Sequence, residues 1–131
     1  MRTSSSQVRV RYAETDQMGV AYHGNYFAWF EVGRTDLLRG LGFTYRDLEA
    51  DGLRLPVIEA TARYLRPALY DDVLEIHTEL AQVGGASLAF DYKVHRDDSS
   101  TPLAEGRTTH AAVDHQGRPR RLPASLRELL K

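Results

Sequence analysis

The chain has 131 residues, a formal charge of −1 and no cysteine. That length predicts a single domain, residues 1–131, able to bury a core without cross-links. The missing cysteines exclude disulfides, thiolate metal sites and cysteine nucleophiles, and the near-neutral balance offers no basic field to nucleic acid or an anionic membrane.

In chain order, Gln7 to Tyr12 alternates Val8, Val10 and Tyr12 with Arg9 and Arg11, which predicts a strand. Glu14 to Gly24 has turn residues without a period and predicts an ordered loop. From Asn25 an apolar stripe through Tyr26, Phe30, Gly33, Leu37 and Leu41 predicts a helix of about four turns, ended by Gly40 and Gly42. Thr44 to Asp47 resembles a capping box and predicts a short helix through Glu49. Four strands follow: Pro56 to Arg66, Val73 to Leu80, Leu88 to Val94 and Leu103 to Asp114. Gly84-Gly85 makes a hairpin, and Pro123 to Leu130 reads as a terminal helix. A strand, a long helix and four strands with tight connections define an α+β domain with an antiparallel sheet. One helix cannot cover both faces and both edges of five strands, so part of the sheet is expected to be buried in an oligomer.

The chemistry concentrates in Tyr12–Tyr26. Asp16 is an acid–base group, His23 lies seven residues later, and a helix N-terminus with unpaired backbone N–H groups follows directly. The five histidines show no ligand spacing, so no metal site is expected. Met1 to Gln7 lacks a secretory apolar segment, and no apolar run nears the ~20 residues that span a bilayer. A soluble, cytoplasmic protein with no membrane span and no nucleic-acid partner is the expectation.

The run R-Y-A-E-T-D-Q-M-G-V-A-Y-H-G-N-Y-F-A-W-F-E, Arg11 to Glu31, resembles the signature of the 4-hydroxybenzoyl-CoA thioesterase family, most of all its bacterial acyl-CoA thioesterases encoded near Tol–Pal genes. Ala62–Ile76 and Ala104–Asp114 agree in order and spacing, and the likeness runs from about Val8 to Leu126. The resemblance implies a hotdog fold, a five-stranded antiparallel sheet wrapped around one long helix. It also implies a homo-oligomer, dimer or tetramer, with active sites at subunit interfaces. The implied reaction is hydrolysis of an acyl-CoA thioester with no cofactor, coenzyme A being part of the substrate. The resemblance makes Asp16 the catalytic carboxylate, as general base or nucleophile, and His23 the backbone oxyanion donor with Gly24 beside it.

Other residues are assigned to substrate by their chemistry. Tyr22 and Tyr26 flank the donor segment, and Tyr26, Phe27, Trp29 and Phe30 are expected as core and acyl-pocket wall. Arg63 and Arg66, beside the Pro67 break, suit the phosphates of coenzyme A, and so do Arg118, Arg120 and Arg121. The turn Gly84-Gly85-Ala86-Ser87 permits close approach of pantetheine, with Gly85 and Ser87 as contacts. Glu59 is a carboxylate that could reach the site across an interface, Glu14 is read as solvated or structural, and Glu31–Arg34 as an i,i+3 ion pair. Two other functions compete: an acyl-CoA-binding module with little turnover, and an enoyl-thioester hydratase or dehydratase.

Overall fold

The computed structural model describes residues 2–130. Strand β1 (Thr3–Arg9) leads through a 3-10 turn and a loop to helix α1 (Asn25–Gly40) and the short helix α2 (Tyr45–Ala50). Strands β2 (Val57–Tyr64), β3 (Val73–Val83), β4 (Ser87–Arg96) and β5 (Pro102–Ala111) follow, then α3 (Ala124–Arg127) and a closing 3-10 turn. The five strands form one antiparallel sheet in the order β1-β3-β4-β5-β2. The expected strand–helix–four-strand order is therefore observed.

Helix α1 lies across β1, β3 and β4, and one residue fixes how closely. A Cβ at Gly33 would collide with Thr78 Oγ1 and press on Ile76, so only glycine lets the helix backbone reach β3. Around this crossing Phe30 stacks on Tyr92 at 4.3 Å, and Leu37, Leu38, Leu74, Ile76, Phe90 and Val94 close the core. Leu74, Ile76, Thr78 and Leu80 of β3 and Leu88, Phe90, Tyr92 and Val94 of β4 are buried on the helix side, while Glu75, His77, Asp91 and Lys93 face away, the period-two split that a one-sided sheet requires.

A polar chain runs through this core. Tyr92 Oη and Thr108 Oγ1 are 2.6 Å apart, Thr108 Oγ1 and His110 Nε2 2.8 Å, and His110 Nδ1 and Leu55 O 3.0 Å. A carbonyl only accepts, so Nδ1–H donates to Leu55 and Nε2 of the neutral ring accepts from Thr108. Burial and the nearby Arg34 guanidinium hold His110 below its ordinary pKa, against the opposing bond to Leu55.

Three local expectations are corrected. The first strand starts at Thr3 and stops at Arg9, where Gln7–Tyr12 was expected. Ser4, Ser5 and Ser6 pair with Thr78, His77 and Ile76, and the Ser6 hydroxyl, turned inward, donates to Asp36 Oδ2 at 2.6 Å. Backbone pairing there overrides a side-chain pattern with no apolar signal. The Glu31–Arg34 ion pair does not form among the described residues. Arg34 falls on the Tyr26–Phe30 stripe at i+4 spacing, so its guanidinium turns inward to Tyr92 and Tyr45. Strand β3 runs on past the expected Leu80 to Val83, across a register shift between Leu80 and Gln82 that interrupts the alternation.

Candidate active site

The loop between β1 and α1 is ordered by its own backbone. Arg11 N–H donates to Glu14 Oε1 at 2.8 Å, which ends the extended segment in a 3-10 turn. The Glu14 carbonyl then accepts from Tyr22 N–H at 2.8 Å and Asn25 Nδ2 at 2.7 Å, so the loop is closed at its neck. Glu14 therefore has a structural role. Inside the neck, Thr15 bridges Ala21, Asp16 N–H donates to Val20 O at 2.9 Å, and Gly19 N–H to Asp16 O at 3.0 Å. Gly19 takes φ of 77°, a left-handed turn conformation that glycine adopts without strain. Ala21 N–H donates to Ala68 O at 2.8 Å and ties the loop to the segment that follows β2.

Asp16 has two separate tasks for its two oxygens. Oδ1 accepts from Met18 N–H at 2.9 Å and Val20 N–H at 3.4 Å, an Asx-type turn. Oδ2 has no hydrogen-bond partner among the described residues, and the side chain lines a cleft of about 390 Å3. His23, Tyr26, Tyr64, Arg66 and Pro67 line the same cleft.

The first turn of α1 supplies donors. Asn25, Tyr26 and Phe27 N–H groups reach back to Tyr22, His23 and Gly24 carbonyls at 3.0, 3.3 and 3.3 Å. The N–H groups of His23 and Gly24 make no hydrogen bond among the described residues, and they carry the positive end of the helix dipole. Three tyrosines enclose this pair. The Tyr22 ring lies over Gly24, where a Cβ would meet it at 2.8 Å, and packs tilted against the His23 ring with centroids 4.3 Å apart. Tyr64 Oη donates to His23 O at 3.0 Å and its ring packs edge-on against Tyr26 at 5.1 Å. Burial raises the Tyr26 phenol above its ordinary pKa, with Tyr64 adding to the shift; burial and then Tyr22 raise Tyr64. Both stay protonated at neutral pH, so Tyr64 is available only as donor here.

Of the residues singled out in the sequence, Asp16, His23, Tyr26 and Arg66 share the cleft, and Tyr22 and Gly24 adjoin His23. Within one chain the others lie elsewhere. Arg63 and Glu59 are on the sheet face away from α1, Arg63 being 3.6 Å from Glu105. Gly85 and Ser87 sit in the β3–β4 hairpin at the opposite end of the sheet, where Gly85 O accepts from Leu122 N–H at 2.8 Å. Arg120 is held by Asp51, its Nη1 2.6 Å from the carbonyl, so it clasps the end of α2. A larger hollow of about 460 Å3 lies on the outer sheet face. Arg63, Glu105 and Asp91 in its lining are held in cross-strand ion pairs, Arg63–Glu105 at 3.6 Å and Asp91–Arg107 at 2.7 Å, and no residue of a helix terminus lines it, so the smaller cleft is the better chemical site. Tyr64 is the residue that sequence reasoning missed; alternation along β2 gives its face but not its reach to His23.

A five-stranded antiparallel sheet around one long helix, with a cleft at the helix N-terminus, is a hotdog fold. A profile of the thioesterase-like superfamily matches residues 10–130, and the chain belongs to that superfamily. It is 38% identical over 120 residues to acyl-CoA thioester hydrolase YbgC of Escherichia coli O157:H7, covering 91% of this chain and 89% of that one. Acyl-CoA thioesterase YbgC of Haemophilus influenzae is 39% identical over 111 residues, 84% of this chain and 80% of that one. The solved structure of DHNA-CoA thioesterase from Staphylococcus aureus superposes with a TM-score of 0.88 at 32% identity, over 93% of this chain and 82% of that chain.

Proposed function

We propose that this protein is an acyl-CoA thioesterase, converting an acyl-CoA and water to a carboxylic acid and free CoA. The observation that carries the reading is one cleft lined by Asp16, with an open carboxylate oxygen, and by His23, whose amide and that of the adjoining Gly24 make no hydrogen bond among the described residues. A thioester carbonyl seated on those amides becomes more electrophilic, and the charge developing on its oxygen falls at the positive helix end. Asp16 either takes a proton from the attacking water or bonds the carbonyl carbon itself to give an anhydride that water opens. In both routes the C–S bond breaks and the thiolate leaves as CoA after protonation. The His23 ring, packed against Tyr22, orients water or thioester beside the main-chain donor. Arg66 at the cleft mouth meets the phosphates of CoA. Within the family we place the protein beside the Tol–Pal-associated type.

The working unit in this reading is a homo-oligomer, at least a dimer. Strand β2 is a free edge of eight residues with Ile58 63% and Val57 45% exposed. Such an edge invites strand pairing. A two-fold axis perpendicular to it runs the paired β2 strands antiparallel, which carries the partner's β3–β4 hairpin end toward this cleft. Gly85, Ser87 and the Glu59 end of β2 then approach the substrate from the second subunit.

The test is a panel of aliphatic and aromatic acyl-CoA esters followed by thiol release, with hydration of enoyl-CoA followed in parallel. Turnover with stoichiometric CoA supports the proposal. Binding without thiol release would favour a carrier module, and hydration without release a hydratase.

A further inference from the structure

Tyr64 is the side chain at the site with no part in the scheme above, and its placement is specific. It ends the free edge strand β2, lines the cleft, and spends its hydroxyl on the His23 carbonyl at 3.0 Å. Its ring is wedged between Tyr26 at 5.1 Å and His23 at 6.0 Å, so that hydroxyl has one direction to point. The His23 carbonyl and the Gly24 N–H belong to the same planar trans peptide, in which C=O and N–H point in opposite directions. Whatever holds that carbonyl therefore aims the Gly24 N–H. Among the described residues the only other donor to this oxygen, Tyr26 N–H at 3.3 Å, is a long first-turn bond.

We infer that Tyr64 is a positioning residue for hydrolysis: its hydroxyl holds the His23–Gly24 peptide so that the Gly24 N–H is a second donor to the thioester oxyanion beside the His23 N–H. This rests on the thioesterase reading. The hydrogen bond to the carbonyl also polarises the peptide and strengthens its N–H as a donor. Tyr22 over Gly24 contributes the third wall, and the absence of a side chain at Gly24 leaves the amide reachable under that ring. The arrangement further ties the donor to β2, the strand at which a second copy would dock, so the aim of the oxyanion site depends on the edge strand being held.

The experiment is Tyr64→Phe, which keeps the ring contacts and deletes the hydroxyl. Thiol release is measured with the acyl-CoA the wild-type protein turns over, together with inhibition by two unreactive CoA analogues. One is a ketone, in which methylene replaces sulfur and the carbonyl is kept; the other is a thioether, in which methylene replaces the carbonyl. The expected result is a kcat/KM about tenfold lower, the size of one lost hydrogen bond. The ketone weakens by a similar factor while the thioether binds as before. The ratio of the two inhibition constants does not depend on the folded fraction, so a partly unfolded variant still gives an answer. A wild-type kcat/KM, or equal weakening of both analogues, overturns the positioning role. Wild-type protein that releases no thiol from any ester removes the thioesterase reading and this inference with it.

Discussion

The two ends of α1 are built to opposite purposes. At the C-terminal end the Leu37, Leu38 and Arg39 carbonyls find partners close at hand: Gly42, at φ of 95°, donates to Arg39 O at 3.0 Å, Phe43 N–H to Leu38 O at 2.8 Å and Leu41 N–H to Leu37 O at 3.1 Å. That is a Schellman closure, with Phe43 packed on the core beside Leu38. At the N-terminal end, no side chain caps the helix, the His23 and Gly24 amides make no hydrogen bond among the described residues, and His23 lines a cleft. A helix left open at one end only keeps its donors for something that is not protein. Between the ends, Gly33, Phe30 and Arg34 lock the helix to the sheet, so the donors are held on a rigid element.

The sharpest way to break the contrast is at the open end. Asp16→Asn keeps an oxygen to accept from Met18 and Val20, so the loop stays folded while kcat falls by about 10²–10⁴-fold, measured by thiol release at matched protein concentration. Next in size is the locked middle. Gly33→Val drives a side chain into Thr78 and Ile76 and should cost about 1–3 kcal/mol in urea unfolding, with turnover per folded molecule unchanged. A drop in that turnover would mean the two regions are not independent. His23→Ala removes the ring but not the amide, so the loss in kcat should stay under about tenfold; a loss equal to that of Asp16→Asn would make the ring essential.

The smallest expected effect concerns acid. His110 is neutral in the fold with a pKa below the ordinary 6.5 of the unfolded chain. Above that value neither state binds the proton and the group contributes no pH dependence. As pH falls through it, the unfolded chain is protonated first, so stability is lost by up to about 1.4 kcal/mol per pH unit until the folded value is reached. Arg34 from α1, Tyr92 from β4 and Thr108 on β5 surround the ring and offer no carboxylate to hold a charged form. His110→Gln should flatten this part of the unfolding midpoint against pH; an unchanged slope would assign it to other groups.

Much of this was legible from residues alone. The apolar stripe from Tyr26 to Leu41 gave α1 its span because an amphipathic period survives without knowledge of partners. The Thr44–Asp47 pattern did the same for α2, where Thr44 Oγ1 accepts from Asp47 N–H at 3.1 Å. Asp16, His23 and Arg66 were found because their spacing belongs to one local motif or sits beside a proline break. The serine half of β1 was invisible, since its strand character comes from pairing with β3. Arg34 was misread because an i,i+3 charge pair looks the same in sequence whether or not the cation is turned inward. Tyr64 and His23 are 41 positions apart, and only the sheet brings that hydroxyl to that carbonyl.

The central claim is that a thioester carbonyl sits on the His23 and Gly24 amides with its carbon toward position 16. A crystal structure of the Asp16→Asn protein with an uncleaved acyl-CoA tests it directly. The account predicts the carbonyl oxygen about 2.7–3.1 Å from those two nitrogens, with the new amide on the far side of the carbonyl carbon. A thioester bound on the outer sheet face, or one with its carbonyl turned to solvent, would contradict it.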